Sequence, residues 1–154
     1  MKLQLPLFSD YIKNMRLWHK DLIQYLPKPQ LLAQWRELCA IASTIANKGS
    51  PNHLLVNKIL NYSKKEFYLY TQLVLQELKA RNFQISTRAL ENFNRNYYNI
   101  INKTPYNFTL FENWHNDRYL KQCLYNLQEK FDCGGIAQKD WLIIEKQFNS
   151  YFNS

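Results

Sequence analysis

The chain has 154 residues, of which 46% are hydrophobic and 16% aromatic, and it carries a formal net charge of +8 at pH 7. This length and composition predict one globular domain that can bury a core without disulfide or metal staples. No apolar run approaches the about 18 residues of a membrane span, which argues against a membrane anchor, and Gln4 and Pro6 interrupt the opening residues, which argues against a signal peptide. The three cysteines are widely spaced, which argues against a disulfide framework. We therefore expect a cytoplasmic protein.

The first predicted helix begins near Pro29 and ends before Gly49. Apolar residues recur in it at spacings of three and four, as in an amphipathic helix. These residues are Leu31, Trp35, Leu38, Ala42 and Ile45. The same stretch contains the ionisable pair Arg36-Glu37. Glu37 has no oppositely charged residue three or four positions away, so the usual helical ion pair is missing and Glu37 becomes a candidate for chemistry.

The middle of the chain predicts two further helices. Pro51 starts a short one, and Ser63 with Glu66 forms a capping box for a longer one that reaches about Ala80. A stripe at helical spacing in the longer helix predicts that it is deeply buried. The stripe consists of Phe67, Tyr70, Val74 and Leu78.

Three more helices are predicted from residue 86 to 102, from 116 to 131 and from 137 to 152. Residues 103–115 read as a loop with the aromatic anchors Tyr106, Phe108, Phe111 and Trp114, and Gly134-Gly135 makes a second turn. Strand signals are sparse and no repeat or low-complexity linker occurs. We therefore predict an all-α fold, a single compact bundle of about five to six helices.

The positive charge is concentrated in residues 1–103, whereas the remainder is nearly neutral. Such an asymmetry favours a polyanionic partner, because neutralising phosphates releases counterions. The alternative is compositional, since a chain rich in Lys, Asn, Tyr, Phe and Ile is typical of a low-GC coding bias. Both interpretations stay open at this level.

Histidines and tryptophans offer alternative roles. His19, His53 and His115 do not sit at metal-ligand spacing and no cluster of Cys or carboxylates joins them, so we expect no metal. Trp18 and Trp35 could stack on an extruded base, although large aromatics at helical spacing are more often core residues. For Trp35, which lies on the apolar stripe, the core position is the prediction.

Several blocks together resemble the pyrimidine dimer DNA glycosylase family, the phage-type endonuclease V enzymes and their small bacterial relatives. The first block is Met15-Arg16-Leu17-Trp18-His19-Lys20-Asp21-Leu22-Ile23, followed by Leu26-Pro27 and by Gln30-Leu31-Leu32-Ala33-Gln34-Trp35-Arg36-Glu37-Leu38. The second is His53-Leu54-Leu55-Val56-Asn57 with Tyr62-Ser63, Tyr68-Leu69-Tyr70 and Leu78-Lys79-Ala80-Arg81-Asn82-Phe83. A weaker third is His115-Asn116-Asp117 with Tyr119-Leu120, Cys123-Leu124 and Asn126-Leu127.

The resemblance implies a compact helical fold and a cofactor-free enzyme that acts on damaged duplex DNA. In this family the nucleophile is the α-amino group of the chain, which forms a Schiff base with the sugar at the lesion, assisted by a glutamate. An α-amine with a pKa of about 7.8 is about 15% neutral at pH 7, whereas a lysine is about 0.04% neutral. By position in the matching segment, Glu37 corresponds to the catalytic carboxylate and Arg36 to a phosphate-contacting arginine.

The front of the chain departs from the family. Family members start at the position of Met15, so residues 1–14 read as an N-terminal extension and residues 15–154 as the single helical domain. Translation could begin at Met15, the extension could fold back to deliver Met1, or the lyase step could be lost. Lys20 is a fallback nucleophile that would need a strongly lowered pKa.

The resemblance also predicts which residues contact DNA, while a structural role stays open for each. We expect Met15 and Glu37 to be catalytic. The DNA-binding residues are predicted to be Arg16, Arg36, His19, Gln30, His53 and Lys58.

The predicted function is that of a monomeric glycosylase with abasic-site lyase activity on pyrimidine dimers or other damaged bases. The alternatives are a non-catalytic nucleic-acid-binding or protein-interaction module on the same scaffold, and an unrelated helical interaction module whose basic charge is a codon effect. Covalent trapping on abasic DNA distinguishes the glycosylase from the non-catalytic module on the same scaffold. DNA binding at low salt distinguishes both from the unrelated helical module.

Overall fold

The computed structural model describes residues 15–48, 54–97 and 109–153. Within these ranges all regular structure is helical, which confirms the all-α prediction. The α-helices are α1 (Lys28–Lys48), α2 (Leu54–Leu60), α3 (Lys64–Ala80), α4 (Thr87–Tyr97), α5 (Asp117–Asp132), α6 (Gln138–Gln147) and α7 (Asn149–Phe152). A 3₁₀ segment, Lys20–Tyr25, precedes α1. No described helix is long and apolar enough to cross a bilayer.

The helices follow the sequence pattern closely. Helices α1 and α3 have the predicted bounds, and α5 is displaced by one residue. The predicted helix 137–152 is divided at Phe148 into α6 and α7, and the 3₁₀ segment was not predicted. Several predictions lie outside the described residues: the extension 1–14, the helix start at Pro51, the end of the 86–102 helix, and the anchors Tyr106 and Phe108.

Helix α3 lies in the centre and packs against α1 and the 3₁₀ segment. Its predicted stripe is buried, with Tyr70, Val74 and Leu78 each 0% exposed. The predicted capping box is present: the backbone N–H of Glu66 donates to Ser63 Oγ at 3.3 Å, and the backbone N–H of Ser63 donates to Glu66 Oε2 at 3.1 Å. This capping satisfies N–H groups that the first turn of a helix leaves unpaired.

The chain before the 3₁₀ segment, residues 15–19, is here called the leading segment. It has no regular secondary structure, yet Met15, Leu17, Trp18 and His19 are buried. Three successive carbonyls of this segment accept hydrogen bonds from three different helices. The donors are Gln34 Nε2 of α1 to the Arg16 oxygen at 2.9 Å, Tyr119 Oη of α5 to the Leu17 oxygen, and Tyr70 Oη of α3 to the Trp18 oxygen at 2.6 Å. The bundle therefore fixes residues 16–18, which directly follow the buried Met15.

Candidate active site

The Glu37 carboxyl lies beside the leading segment, half-buried at the face of α1 that this segment covers. It accepts a hydrogen bond from Gln34 Nε2 at 3.1 Å and another from the backbone N–H of Arg16. It forms no salt bridge with any cation in the described part of the chain. Glu37 thus lacks an ion-pair partner among the described residues of the tertiary structure, just as it lacks one three or four positions away in the sequence.

Gln34 is the residue that joins Glu37 to the leading segment. Its side chain is 0% exposed, and its amide bonds to Trp18 N at 2.8 Å and to the Arg16 carbonyl oxygen at 2.9 Å. Gln34, three residues before Glu37, is not among the site residues predicted from the sequence. Its position, three residues after Leu31 and four before Leu38, places a polar side chain on the apolar stripe, and this was the available signal.

Burial raises the pKa of the Glu37 carboxyl from 4.5 to about 7. The charges of Arg16, Lys130 and Arg36 and the hydrogen bond from the Arg16 backbone act in the opposite direction, but they do not outweigh the loss of solvation. A carboxyl that titrates near neutral pH can both give and take a proton under physiological conditions. Such a displaced pKa is typical of a functional carboxyl.

Three cations act on this carboxyl from different parts of the fold. Arg16 of the leading segment is half-buried, and its guanidinium lies 5.1 Å from the centroid of the Trp18 ring. Arg36 on α1 and Lys130 in the last turn of α5 are exposed. Lys130 could not be predicted from the sequence, because its charge acts on Glu37 only through the tertiary fold, which places the end of α5 near α1. The group gives the site a positive rim suited to phosphates.

The other predicted DNA-binding residues lie in different surroundings. Gln30, half-buried one turn before Gln34, has a buried Oε1 that no described donor reaches. Lys58 is exposed on α2, with its ammonium 5.2 Å from the centroid of the Trp114 ring. His53 lies outside the described residues. These observations bring neither Gln30 nor Lys58 to Glu37.

His19 belongs to a buried aromatic cluster. It is 2% exposed, its ring stacks on His115 with the centroids 5.1 Å apart, and its Nδ1 accepts a hydrogen bond from the backbone of Asp21. Burial lowers the pKa of His19 and lowers that of His115 to about 3, so both rings are neutral at pH 7. This environment favours the structural alternative for His19 over contact with DNA.

Three further candidates, Lys20, Trp35 and Trp18, have their positions set by neighbouring residues of the fold. The ammonium of Lys20 donates to the Leu110 carbonyl at 3.3 Å, and its charge acts on the two histidines rather than on Glu37. Trp35 is 6% exposed and contacts Phe93, with ring centroids 5.9 Å apart, which confirms its predicted core position. Trp18, 5% exposed, lies under Arg16.

The displaced titration of Glu37 predicts a pH-dependent effect on stability. The folded protein binds the proton of the Glu37 carboxyl more tightly than the unfolded chain does, and this tighter binding contributes to the free energy of unfolding. The contribution is complete below pH 4.5 and is lost as the pH rises through about 7. Glu37→Gln removes the buried charge. We expect its melting temperature relative to wild type to increase between about pH 5 and about pH 8, by on the order of a few degrees.

Thermal denaturation monitored by circular dichroism at both pH values measures this difference. Glu145→Gln, at an exposed position of α6, makes the same substitution where the carboxyl is solvated, and its melting temperature should follow wild type. Destabilisation by Glu37→Gln that is equal at the two pH values would contradict the raised pKa.

The family model for pyrimidine dimer DNA glycosylase matches residues 15–91, half of the chain. The match begins at the first residue of the leading segment and includes Gln34, Glu37 and Tyr70. No curated protein and no solved structure matched the chain. The chain belongs to the pyrimidine dimer DNA glycosylase family.

Proposed function

We propose that this protein, in a form whose first residue is Met15, is a DNA glycosylase with coupled abasic-site lyase activity on pyrimidine dimers in duplex DNA. The observation that carries the proposal is that Gln34 Nε2 donates both to Glu37 Oε2 at 3.1 Å and to the Arg16 carbonyl oxygen at 2.9 Å, which joins the carboxyl to the leading segment. Met15 directly precedes Arg16, and consecutive Cα atoms are about 3.8 Å apart. The Met15 nitrogen therefore belongs to the residue next to the one that is joined to this carboxyl. An amine at this point would face a group that titrates near pH 7.

The proposed reaction begins with the neutral α-amine of Met15. Its lone pair forms a bond to C1′ of the damaged nucleotide while the glycosidic bond breaks, and the electron pair of that bond leaves with the base. The amine then transfers a proton to the Glu37 carboxylate, and this proton passes to the ring oxygen O4′ as the sugar ring opens to give the Schiff base. Glu37 orients the sugar and stabilises the positive charge that develops as the glycosidic bond breaks.

The cations of the site have a separate role in this proposal. Arg16 and Arg36 contact phosphates and hold the backbone in register, and Lys130 adds to the local positive potential. These contacts carry no sequence information, which suits an enzyme that must find a lesion in any sequence. Lys58 and Gln30 remain proposed contacts farther along the DNA. The proposed chemistry requires no cofactor.

One observation favours a second candidate function. In the 154-residue sequence Asn14 precedes Met15, so the Met15 nitrogen is an amide and is not nucleophilic. A protein that retains residues 1–14 would keep the cations of the positive rim but would have no free α-amine at Met15 beside Glu37. Such a form is a DNA-binding module on the same scaffold.

The decisive experiment uses protein that begins at Met15 and a duplex containing one defined pyrimidine dimer. We expect strand incision of this duplex, none of the undamaged duplex, and a covalent adduct when borohydride is added. Salt-sensitive binding without incision or adduct would contradict the glycosylase function and support the DNA-binding module. Absence of binding at low salt would refute both functions.

A further inference from the structure

The amide of Gln34 has an orientation that the backbone determines. Trp18 N can only donate and the Arg16 carbonyl oxygen can only accept, so Oε1 must face the first and Nε2 the second. The observed separations are 2.8 and 2.9 Å. Exchanging the two amide atoms would place donor against donor and acceptor against acceptor, which is strongly unfavourable in a residue that is 0% exposed.

The remaining capacity of this amide is also used. The second N–H of Nε2 donates to Glu37 Oε2 at 3.1 Å, and Oε1 accepts from the Tyr70 hydroxyl at 2.9 Å. Tyr70 is itself 0% exposed, and the single proton of its hydroxyl is shared between Gln34 Oε1 and the Trp18 carbonyl oxygen, which lies 2.6 Å from the hydroxyl. The bonds to Trp18 N and to the Arg16 carbonyl oxygen fix the amide of Gln34 in this buried network, so its second N–H stays directed at Glu37.

This arrangement makes the two oxygens of Glu37 inequivalent. Oε2 constantly receives the N–H of Gln34, and a proton on the same oxygen would weaken that bond. The hydrogen bond from Gln34 therefore favours Oε1 as the oxygen that carries the proton of the neutral carboxyl. We propose that Gln34 is a positioning residue, which holds the Glu37 carboxyl in one orientation and leaves Oε1 as the oxygen that exchanges a proton during the reaction; this rests on the proposed function.

Other charged or titratable groups that face Glu37 must be included in any test. They are Arg16 of the leading segment, Arg36 of α1, Lys130 of α5 and the hydroxyl of Tyr70 on α3. The three cations favour the charged carboxylate, and Tyr70 stays neutral because burial raises its pKa well above 10.0. A substitution at residue 34 leaves these four residues in the sequence, although it removes the hydrogen bonds of Gln34 to the Arg16 carbonyl and the Tyr70 hydroxyl.

The test uses protein beginning at Met15 with Gln34→Glu and Gln34→Met. A second carboxyl beside Glu37 makes the two groups share one proton, so the last proton should leave about one pH unit or more above the wild-type value. Gln34→Met removes the donor without adding charge. For both we expect kcat on abasic-site DNA to fall about 10-fold or more with KM within about threefold, because binding contacts stay while orientation is lost.

The readouts are the carboxyl carbon-13 shift of Glu37 against pH and the pH dependence of kcat. Gln76→Glu, at an exposed position of α3, adds the same charge away from the site and should leave both unchanged. Substitutions at residue 34 that lower the melting temperature but leave the Glu37 titration and kcat unaltered would overturn the proposal, because they would reveal a structural role alone.

A wild-type measurement keeps the proposal testable if both variants fail to fold. The side-chain amide signals of Gln34 should shift with the same midpoint as the Glu37 carboxyl, and signals that do not respond to pH would refute the inference. If wild-type protein beginning at Met15 neither incises dimer DNA nor forms an adduct, the proposed function itself fails. An active wild type with an unresponsive Gln34 refutes only the positioning role.

Discussion

Glu37→Gln in protein that begins at Met15 should lose incision of dimer-containing DNA by about 10²- to 10⁴-fold, the range typical for a group that transfers or stabilises a proton. The substitution keeps the shape of the side chain and an oxygen that can accept from Gln34, so the leading segment should stay in place. Single-turnover incision measures the loss.

Affinity provides the internal control for this prediction. We expect binding to undamaged duplex to depend on the cations of the site rather than on the carboxyl, so it should change by no more than about threefold in Glu37→Gln. Glu145→Gln should retain full incision. Incision by Glu37→Gln within about fivefold of wild type would exclude Glu37 from the chemistry, since loss of a general acid or base has a larger effect.

Adding residues before Met15 should have an effect as large. Protein that begins at Met1 has an amide at the Met15 nitrogen, so we expect borohydride trapping to fall below about 1% of that given by protein beginning at Met15. Trapping on abasic DNA, quantified by gel shift of the denatured adduct, measures the difference. Binding should persist, because Arg16, Arg36 and Lys130 are present in both forms.

A third form controls for the added length. One glycine placed before Met15 moves the amine by about 3.8 Å while adding no charge or bulk, and trapping should fall at least about 10-fold. Equal trapping by protein beginning at Met1 would support the alternative in which the extension itself delivers an amine. It would also contradict the role of Met15.

Much of this fold could be predicted because its signals are local. The apolar stripe of α1 and the Ser63–Glu66 capping box depend on residues three or four apart, and both are present as expected. Its lack of a local partner in the sequence makes Glu37 a candidate, and the structure places it half-buried with no salt bridge to any residue that the structure describes. The division at Phe148 was missed because the apolar pattern continues through it.

The surroundings of Glu37 could not be predicted in the same way. Tyr70 was expected in the core, but its hydrogen bonds to Trp18 and Gln34 join residues 52 and 36 positions apart. Lys130 acts on Glu37 only because α5 ends near α1. The leading segment has no helical period, so neither its path nor its three side-chain donors left a pattern in the sequence.

The central claim is that the nitrogen of Met15 is the nucleophile beside Glu37, and the position of the reduced adduct tests it most directly. Protein beginning at Met15 is trapped on abasic DNA with borohydride, digested and analysed by mass spectrometry. We predict that the sugar remnant is attached to the α-amine of Met15. Attachment to Lys20, Lys130 or another lysine side chain would contradict the account.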